Sequence, residues 1–434
     1  MISLHLLLSV LIFLVTYVAI LSNKVDKSIA AIIGGMAMIL LHVVDEHTAY
    51  ASIDLSVIFL LIGMMIITHF LAKSGFFGYV ALRLVQVAEA RPVPVMVVLC
   101  IVTGVLSALV DNVTTVLLIA PVTFLMAEQA EIDPIPFLIF EVMAANIGGT
   151  ATLIGDPPNI LIGSQAGLTF NEFIIHVTPP AALCLVASVA GGAWIVRRQP
   201  RLPADARAHL MEMKATGAIS DWSLLVKSGT ILIIVLTLFV FHDMLGLGPA
   251  PIALGGAAVL ILLTREDSVG VFQVVEWPML FFFIGLFVTI SGLVSSGAMD
   301  LAAKTAIALT GNSLFVTTLV LLWFSAIASA LVGAIPVVAA LIPIVKNIIP
   351  DIQAHSASVN PQTVSYALWW ALSLGACLGG NGTILGAACN IVAVEIARSN
   401  RRTITPLGFM RVGLPVALVS LLISTVYIIL RYLR

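Results

Sequence analysis

Ten polar side chains sit where this sequence is otherwise apolar. They are Asp111, Asn112, Thr114 and Thr115, then Thr152, Asp156 and Asn159, then Asn381, Thr383 and Asn390. Amides and hydroxyls suit binding of a small polar solute. Two carboxylates with no nearby lysine or arginine suit a cation or an exchangeable proton. Asp156 lies in GGTATLIGDPPNILIGS (148–164), inside an apolar segment running from about Pro136 to Gly167. A segment of that length reads as a membrane-spanning helix, for which ~20 residues suffice. Pro157 and Pro158 lack backbone N–H groups and disfavour a helical residue before them, so the helix breaks near Gly155. Backbone freed by a break is tolerated at membrane depth only in a protein-lined or watery cavity. An ionisable residue there is costly and marks a functional site. The competing reading, an ordinary loop outside the membrane, fits poorly because the apolar run resumes at Ile160, Leu161 and Ile162.

The elements that carry these residues are hydrophobic. Of 434 residues, 60% are hydrophobic and 10% charged, whereas soluble domains carry ~25% charged residues. The class is a polytopic membrane protein with little room for a soluble domain. The near-neutral charge gives no reason to expect a nucleic-acid partner. Cys100, Cys184, Cys377 and Cys389 all lie in apolar segments, so neither a disulfide framework nor a zinc spacing is visible. The first apolar stretch lacks a basic n-region and reads as a retained spanning helix rather than a cleaved signal.

Apolar runs place helices at about Leu4–Leu21, Ile29–Val44 and Leu55–Ala72, with an interfacial stretch at Phe76–Ala90. Val93–Val110 and Val116–Ala127 form two arms around the tip at Asp111–Thr115. The second arm is too short to cross comfortably, so the pair reads as a re-entrant hairpin. The broken helix follows, then a helix at Phe173–Val196. Further helices lie at Lys227–Phe241, Pro251–Leu263 and Pro278–Val294. A second hairpin covers Leu314–Ile349, a second interrupted helix Val364–Ile396, and a last helix Leu407–Leu430. The polar linker at 197–226, with Arg197, Arg198, Arg201, Arg207 and Lys214, is expected on the cytoplasmic side by the positive-inside rule.

The halves resemble each other. Ser107-Ala108-Leu109-Val110 recurs as Ser329-Ala330-Leu331-Val332, 222 positions on, and the same offset links Asp54 with Glu276, Gly63 with Gly285, Gly75 with Gly297 and Pro121 with Pro343. Beyond the hairpins the offset becomes 231: Gly148-Gly149 matches Gly379-Gly380, Thr152 matches Thr383, Gly155 matches Gly386, and Asn159-Ile160 matches Asn390-Ile391. An odd number of crossings per half inverts the second half. The expected fold is therefore an all-α polytopic membrane protein of two inverted repeats, 1–196 and 227–434, with about ten spanning helices, two re-entrant hairpins and two broken helices. Both termini fall in the periplasm, against which Arg431 and Arg434 are mild violations.

The repeat gathers two hairpin tips and two breaks, and the gathering is asymmetric. Asp111 corresponds to Gly333 and Asp156 to Ala387, so both acids at the site come from the first half. Asp111 and Asp156 are the candidate proton-coupling pair, and the other eight residues the candidate substrate ligands. For the threonines and Asn146, the alternative is back-bonding to helical carbonyls or helix–helix hydrogen bonding. For the two aspartates it is a paired buried carboxylate. Glu141, His69 and Lys73 are weaker candidates, Asp54 and Glu276 suggest helix caps, and the cysteines read as small core residues.

The stretches SALVDNVTTVLLIAPV (107–122), GGTATLIGDPPNILIGS (148–164) and GACLGGNGTILGAACNIVA (375–393) resemble the ion transporter superfamily. Within it they resemble the group of arsenite permeases (ArsB type), sodium/proton antiporters (NhaD type) and the melanosomal P protein. The resemblance implies a secondary transporter, usually dimeric, with a scaffold and a moving part that holds hairpins and broken helices. Divalent anion/sodium symporters of the superfamily use Ser-Asn-Thr at both tips. Here the first tip keeps Asn112 and Thr114, and the second has lost both types, which argues against a second sodium site.

The expected function is proton-coupled efflux of arsenite or antimonite across a bacterial inner membrane, because neutral polyhydroxides suit amides, hydroxyls and one accepting carboxylate. The alternative is a sodium/proton antiporter of the same superfamily. The expected chain is not an enzyme: an intramembrane aspartyl protease would need Gly-x-Gly-Asp, but Leu153 holds the first glycine position, and Asp111 follows Val110 where a tyrosine is required. No cofactor or metal is expected beyond a proton gradient and, for the alternative, Na+. The expected partners are the bilayer, a small inorganic substrate, a second copy, and a soluble ATPase subunit as a further candidate.

Overall fold

The computed structural model describes residues 4–22, 24–89, 91–129, 132–198, 211, 215–356 and 359–434. Every regular element among the described residues is a helix. In the first half these are α1 (Leu4–Ser22), α2 (Lys27–Leu40), α3 (Glu46–Ala51), α4 (Leu55–Lys73), α5 (Phe76–Val87), α6 (Pro92–Leu109), α7 (Asn112–Gln129), α8 (Ile135–Thr150), α9 (Pro157–Ala166), α10 (Phe170–His176) and α11 (Thr178–Val196). The second half has α12 (Trp222–Leu245), α13 (Pro249–Thr264), α14 (Ser268–Phe272), α15 (Trp277–Ser295), α16 (Ala298–Thr310), α17 (Leu314–Val332), α18 (Ala334–His355), α19 (Pro361–Gly379), α20 (Ala388–Ser399) and α21 (Pro406–Tyr432). Nine helices among the described residues are long and apolar enough to cross a membrane.

The offsets read in the sequence recur in the elements. The starts of α2, α4, α5, α6 and α7 precede those of α13, α15, α16, α17 and α18 by 222 positions, and α9 precedes α20 by 231. Two packed groups result. In one, α2 lies on α15, α4 on α13, and α1 and α12 flank them. In the other, α6 and α11 pack on α8, α17 and α18 on α19, and α21 against α11 and α19. The halves interlock, since α20 packs on the α7 arm and α9 on the α18 arm.

Small residues set these crossings, as expected where lipid removes the hydrophobic drive between helices. A Cβ on Gly285 would lie 2.3 Å from the Ala31 backbone, and one on Gly63 would lie 2.5 Å from Ala253. These are repeat mates. At Gly148, where α8 crosses α6, a Cβ would meet the Gly104 carbonyl oxygen at 2.0 Å. Overpacking of this kind costs ~1–3 kcal/mol. Gly148→Ala should therefore lower the thermal midpoint of the detergent-solubilised protein clearly, whereas Gly229→Ala, with nothing within 4 Å, should leave it unchanged. Equal midpoints would remove the crossing from the account.

Several boundaries differ from expectation. The second arm of the first hairpin runs Asn112–Gln129, not Val116–Ala127. Asp111 is the reason: its Oδ1 accepts the Thr114 N–H at 2.7 Å, which starts the helix early. The helix expected at Phe173–Val196 divides into α10, opened by a Thr169/Glu172 capping box, and α11, opened by Pro179 and Pro180. Asp54 caps α4 through the Ser56 and Val57 N–H groups, but Glu276 makes no side-chain cap bond. Of the linker, 199–210 and 212–214, including Arg201, Arg207 and Lys214, lie outside the described residues. Its described end ties to α4, where the Ser220 N–H donates to the Ser74 carbonyl at 3.0 Å and the Ser220 hydroxyl to the Lys73 carbonyl at 2.7 Å.

Candidate functional site

The first break starts where α8 ends at Thr150 and closes where α9 begins at Pro157. Gly149 and Gly155 touch there, as Gly380 and Gly386 do in the second break. In the first break the Thr152 hydroxyl donates to the Ala108 carbonyl at 2.5 Å and accepts the Gly155 N–H at 3.1 Å. Its mate, the Thr383 hydroxyl, donates to the Ala330 carbonyl. Asn159 Nδ2 donates to the Thr150 and Thr152 carbonyls at 2.9 and 3.0 Å, and Asn390 Nδ2 to those of Gly380 and Thr383 at 2.9 and 2.8 Å. Each break is thus pinned by its own threonine to a hairpin and clamped by its own asparagine.

Asp156 occupies the N-cap position of α9, in extended backbone, yet its side chain caps nothing. The next two residues are prolines, so the N–H at the second helical position, one of the two that would hold a capping carboxylate, is missing. The carboxylate turns instead to a cavity and accepts from Asn112 Nδ2 at 3.3 Å. That cavity, of about 570 Å³, runs from the exposed α1–α2 loop (Lys24, Asp26) inward to Asn112, Asp156 and Cys377. At its mouth the Ser28 hydroxyl and N–H bond Asp26 and hold its carboxyl below the usual range, so the outer charges are of both signs. Its walls are largely apolar and include Met279, Phe282, Leu385 and Ile391. Four helices begin at this cavity: α7 at Asn112, α9 at Pro157, α18 at Ala334 and α20 at Ala388. Their positive dipole ends face the space beside Asp156. Lys24, exposed, and Lys27, half-buried at the start of α2, are the basic residues of the lining.

The remaining candidates occupy defined places. Asp111 is half-buried at the first tip, outside the cavity lining. The Thr115 hydroxyl donates back to the Asp111 carbonyl at 2.9 Å. Thr114 is half-buried beside it and Asn381 fully buried. Of the ten candidates, Asn112 and Asp156 line the cavity, and the clamping asparagines lie behind it.

A residue assigned in the sequence to helix–helix bonding joins these pieces. Asn146, buried on α8, donates through Nδ2 to Asn381 Oδ1 and Asn390 Oδ1, both at 2.9 Å. Its Oδ1 accepts from Asn112 Nδ2 at 3.2 Å and from the Cys389 thiol at 2.8 Å. Asn146 therefore ties the first tip to the second break. Its repeat mate is Cys377, which donates to Asn159 Oδ1 at 3.6 Å, beside Ser373, which donates at 2.7 Å. A carboxamide within a fully buried apolar helix was the available signal, since buried polar groups are paired. Glu141 is buried away from the cavity and accepts the Thr123 hydroxyl at 2.6 Å.

Known proteins match this arrangement. The family model described as citrate transporter (CitMHS) matches residues 17–375. An uncharacterized transporter of Mycobacterium tuberculosis is 40% identical over 434 residues, covering 98% of each chain. The P protein of Mus musculus is 31% identical over 502 residues, covering 96% of this chain and 59% of that one. The solved structure of the Alcanivorax borkumensis YdaH transporter, described as having an unusual topology, superposes with a TM-score of 0.57 at 16% identity, covering 85% of this chain and 84% of that one. It supports the fold. This multi-pass membrane protein, with its spans, hairpins and broken helices, belongs to the citrate transporter (CitMHS) family of the ion transporter superfamily, and is a membrane transporter.

Proposed function

We propose that the chain exports arsenite or antimonite across a bacterial inner membrane in exchange for protons. The observation that carries this reading is the inner end of the cavity, where Asp156 and Asn112 meet four helix N-termini with no lysine or arginine beside them. A neutral trihydroxide offers O–H donors to the carboxylate and oxygens to the N-termini. A citrate trianion would gain from the four helix N-termini, but it would set its charges against the Asp156 carboxylate with no lysine or arginine beside it. A neutral trihydroxide uses both groups without that opposition. The sodium/proton alternative needs break carbonyls to hold the ion. Those of Thr150, Thr152, Gly380 and Thr383 already accept from Asn159 and Asn390.

Uptake into everted vesicles under an imposed proton gradient tests this directly, with arsenite, sodium and citrate supplied separately. Arsenite accumulation that collapses with the gradient is expected. Gradient-driven movement of sodium or citrate, with none of arsenite, would replace the substrate.

A further inference from the structure

The inverted repeat makes the two faces of the molecule comparable residue by residue. On the Lys24 face, the start of α15 (Pro278, Met279, Phe282) and the start of α20 (Ala388, Ile391, Val392) both line the cavity, and the two helices are not among the closely packed pairs. Their repeat mates on the other face are the start of α4 and helix α9, and these touch. The contact is polar. Asp54 caps α4 with Oδ1, and its Oδ2 accepts from Ser164 Oγ at 2.5 Å and Gln165 Nε2 at 2.8 Å. Gln165 Oε1 in turn accepts from Lys346 Nζ, on the second hairpin, at 2.8 Å. One carboxylate thus joins the α4 group to the broken helix and, through Gln165, to the α18 arm.

We propose that Asp54, Ser164, Gln165 and Lys346 form a latch that closes the face remote from the cavity and biases the protein toward the state open on the Lys24 face. The bias follows from what the repeat fails to copy. By the repeat offsets the mates of Asp54, Ser164, Gln165 and Lys346 are Glu276, Glu395, Ile396 and Phe124. Closing α15 onto α20 would bring Glu276 toward a second acid and two apolar residues, so the repeat mates supply no donor for either carboxylate. The Lys24 face can close, but it gains no equivalent bond. The two orientations therefore differ by the latch, and substrate or proton binding has to overcome that difference in each cycle. The inference rests on the alternating-access reading of the transporter, not on the identity of its substrate.

The test reads orientation without reading flux. Met279→Cys and Ala388→Cys place one thiol on α15 and one on α20, both in the cavity lining, and a rise in oxidative cross-linking between them reports closure of the Lys24 face in the full-length chain in proteoliposomes. In that background Gln165→Leu removes the link to Lys346 and one bond to Asp54 while leaving the α4 cap intact, and Ser164→Ala removes the other bond. Hydrogen bonds to a charged group at a half-exposed site should shift the equilibrium by about fivefold, so cross-linking should rise by about that factor in either variant. Cross-linking that stays at the parent level in both, or falls, overturns the latch. Loss of arsenite transport with cross-linking raised as expected would count against the substrate and leave the latch standing.

Discussion

Asp156→Asn protein is expected to fold, insert and keep its cavity, and to lose gradient-driven accumulation by on the order of 100-fold, the scale that proton transfer by a positioned side chain typically contributes. The substituted amide can still accept from Asn112 through its oxygen, so the 3.3 Å contact survives. It cannot carry an exchangeable proton. In the proposed cycle a substrate from the Lys24 face displaces the proton on Asp156, and a proton from the other face displaces the substrate. An asparagine leaves exchange of substrate down its own gradient in place and removes the coupling. Proton and arsenite fluxes measured together in proteoliposomes separate these two quantities. Asp111→Asn should be the milder variant, because Asp111 lies outside the cavity and its Oδ1 holds the Thr114 N–H as a helix cap, a bond the asparagine oxygen can keep. Full coupled transport by Asp156→Asn would move the proton to Asp111 or Glu141.

The breaks were legible because they are written in proline and glycine. Pro157 and Pro158 cannot continue a helix. Pro158 also removes one of the two N–H groups that would cap onto Asp156, and its carboxylate makes no cap bond and lies in the cavity. The repeat was legible because hairpin and break sequences recur at constant spacing. Burial of Asn159 and Asn390 behind the cavity was not legible, since a clamp on carbonyls and a ligand for substrate use the same residue type at the same place. Nor could sequence separate Asp54 from Glu276: both precede a helix, but only Asp54 caps it and meets Ser164 and Gln165 from distant parts of the chain. The length of α7 was misjudged because Asp111 reads as a loop acid until its bond to Thr114 is seen.

Asn146 supplies the second large effect, and its repeat mate supplies the control. Replacing Asn146 with alanine strips bonds from Asn112, Asn381, Asn390 and Cys389 together. Asn381 Nδ2 is already buried without a partner, so Asn381 would lose its remaining bond to Asn146 as well. Each orphaned buried group costs ~1–3 kcal/mol, and at ~1.4 kcal/mol per decade the loss of transport should reach on the order of 100-fold, with a lowered thermal midpoint. Cys377 occupies the equivalent position and also bonds the asparagine of the other break, but at 3.6 Å, and Asn159 Oδ1 keeps its 2.7 Å bond from Ser373 without it. Because Cys377 also lines the cavity beside Asp156, the control reads on stability: Cys377→Ala should lower the thermal midpoint much less than Asn146→Ala does, by the scale of one weak contact. The pair distinguishes a linking role from general packing, because both residues are buried on paired helices at the same depth in the repeat. The thermal midpoints of the two variants, measured side by side, decide it, and proteoliposome flux checks the loss in Asn146→Ala. Equal lowering would mean that the two halves contribute alike, and that the bond from the first tip to the second break carries no special weight. A severe Asn146→Ala defect beside a mild Cys377→Ala one would place the union of the halves on a single carboxamide.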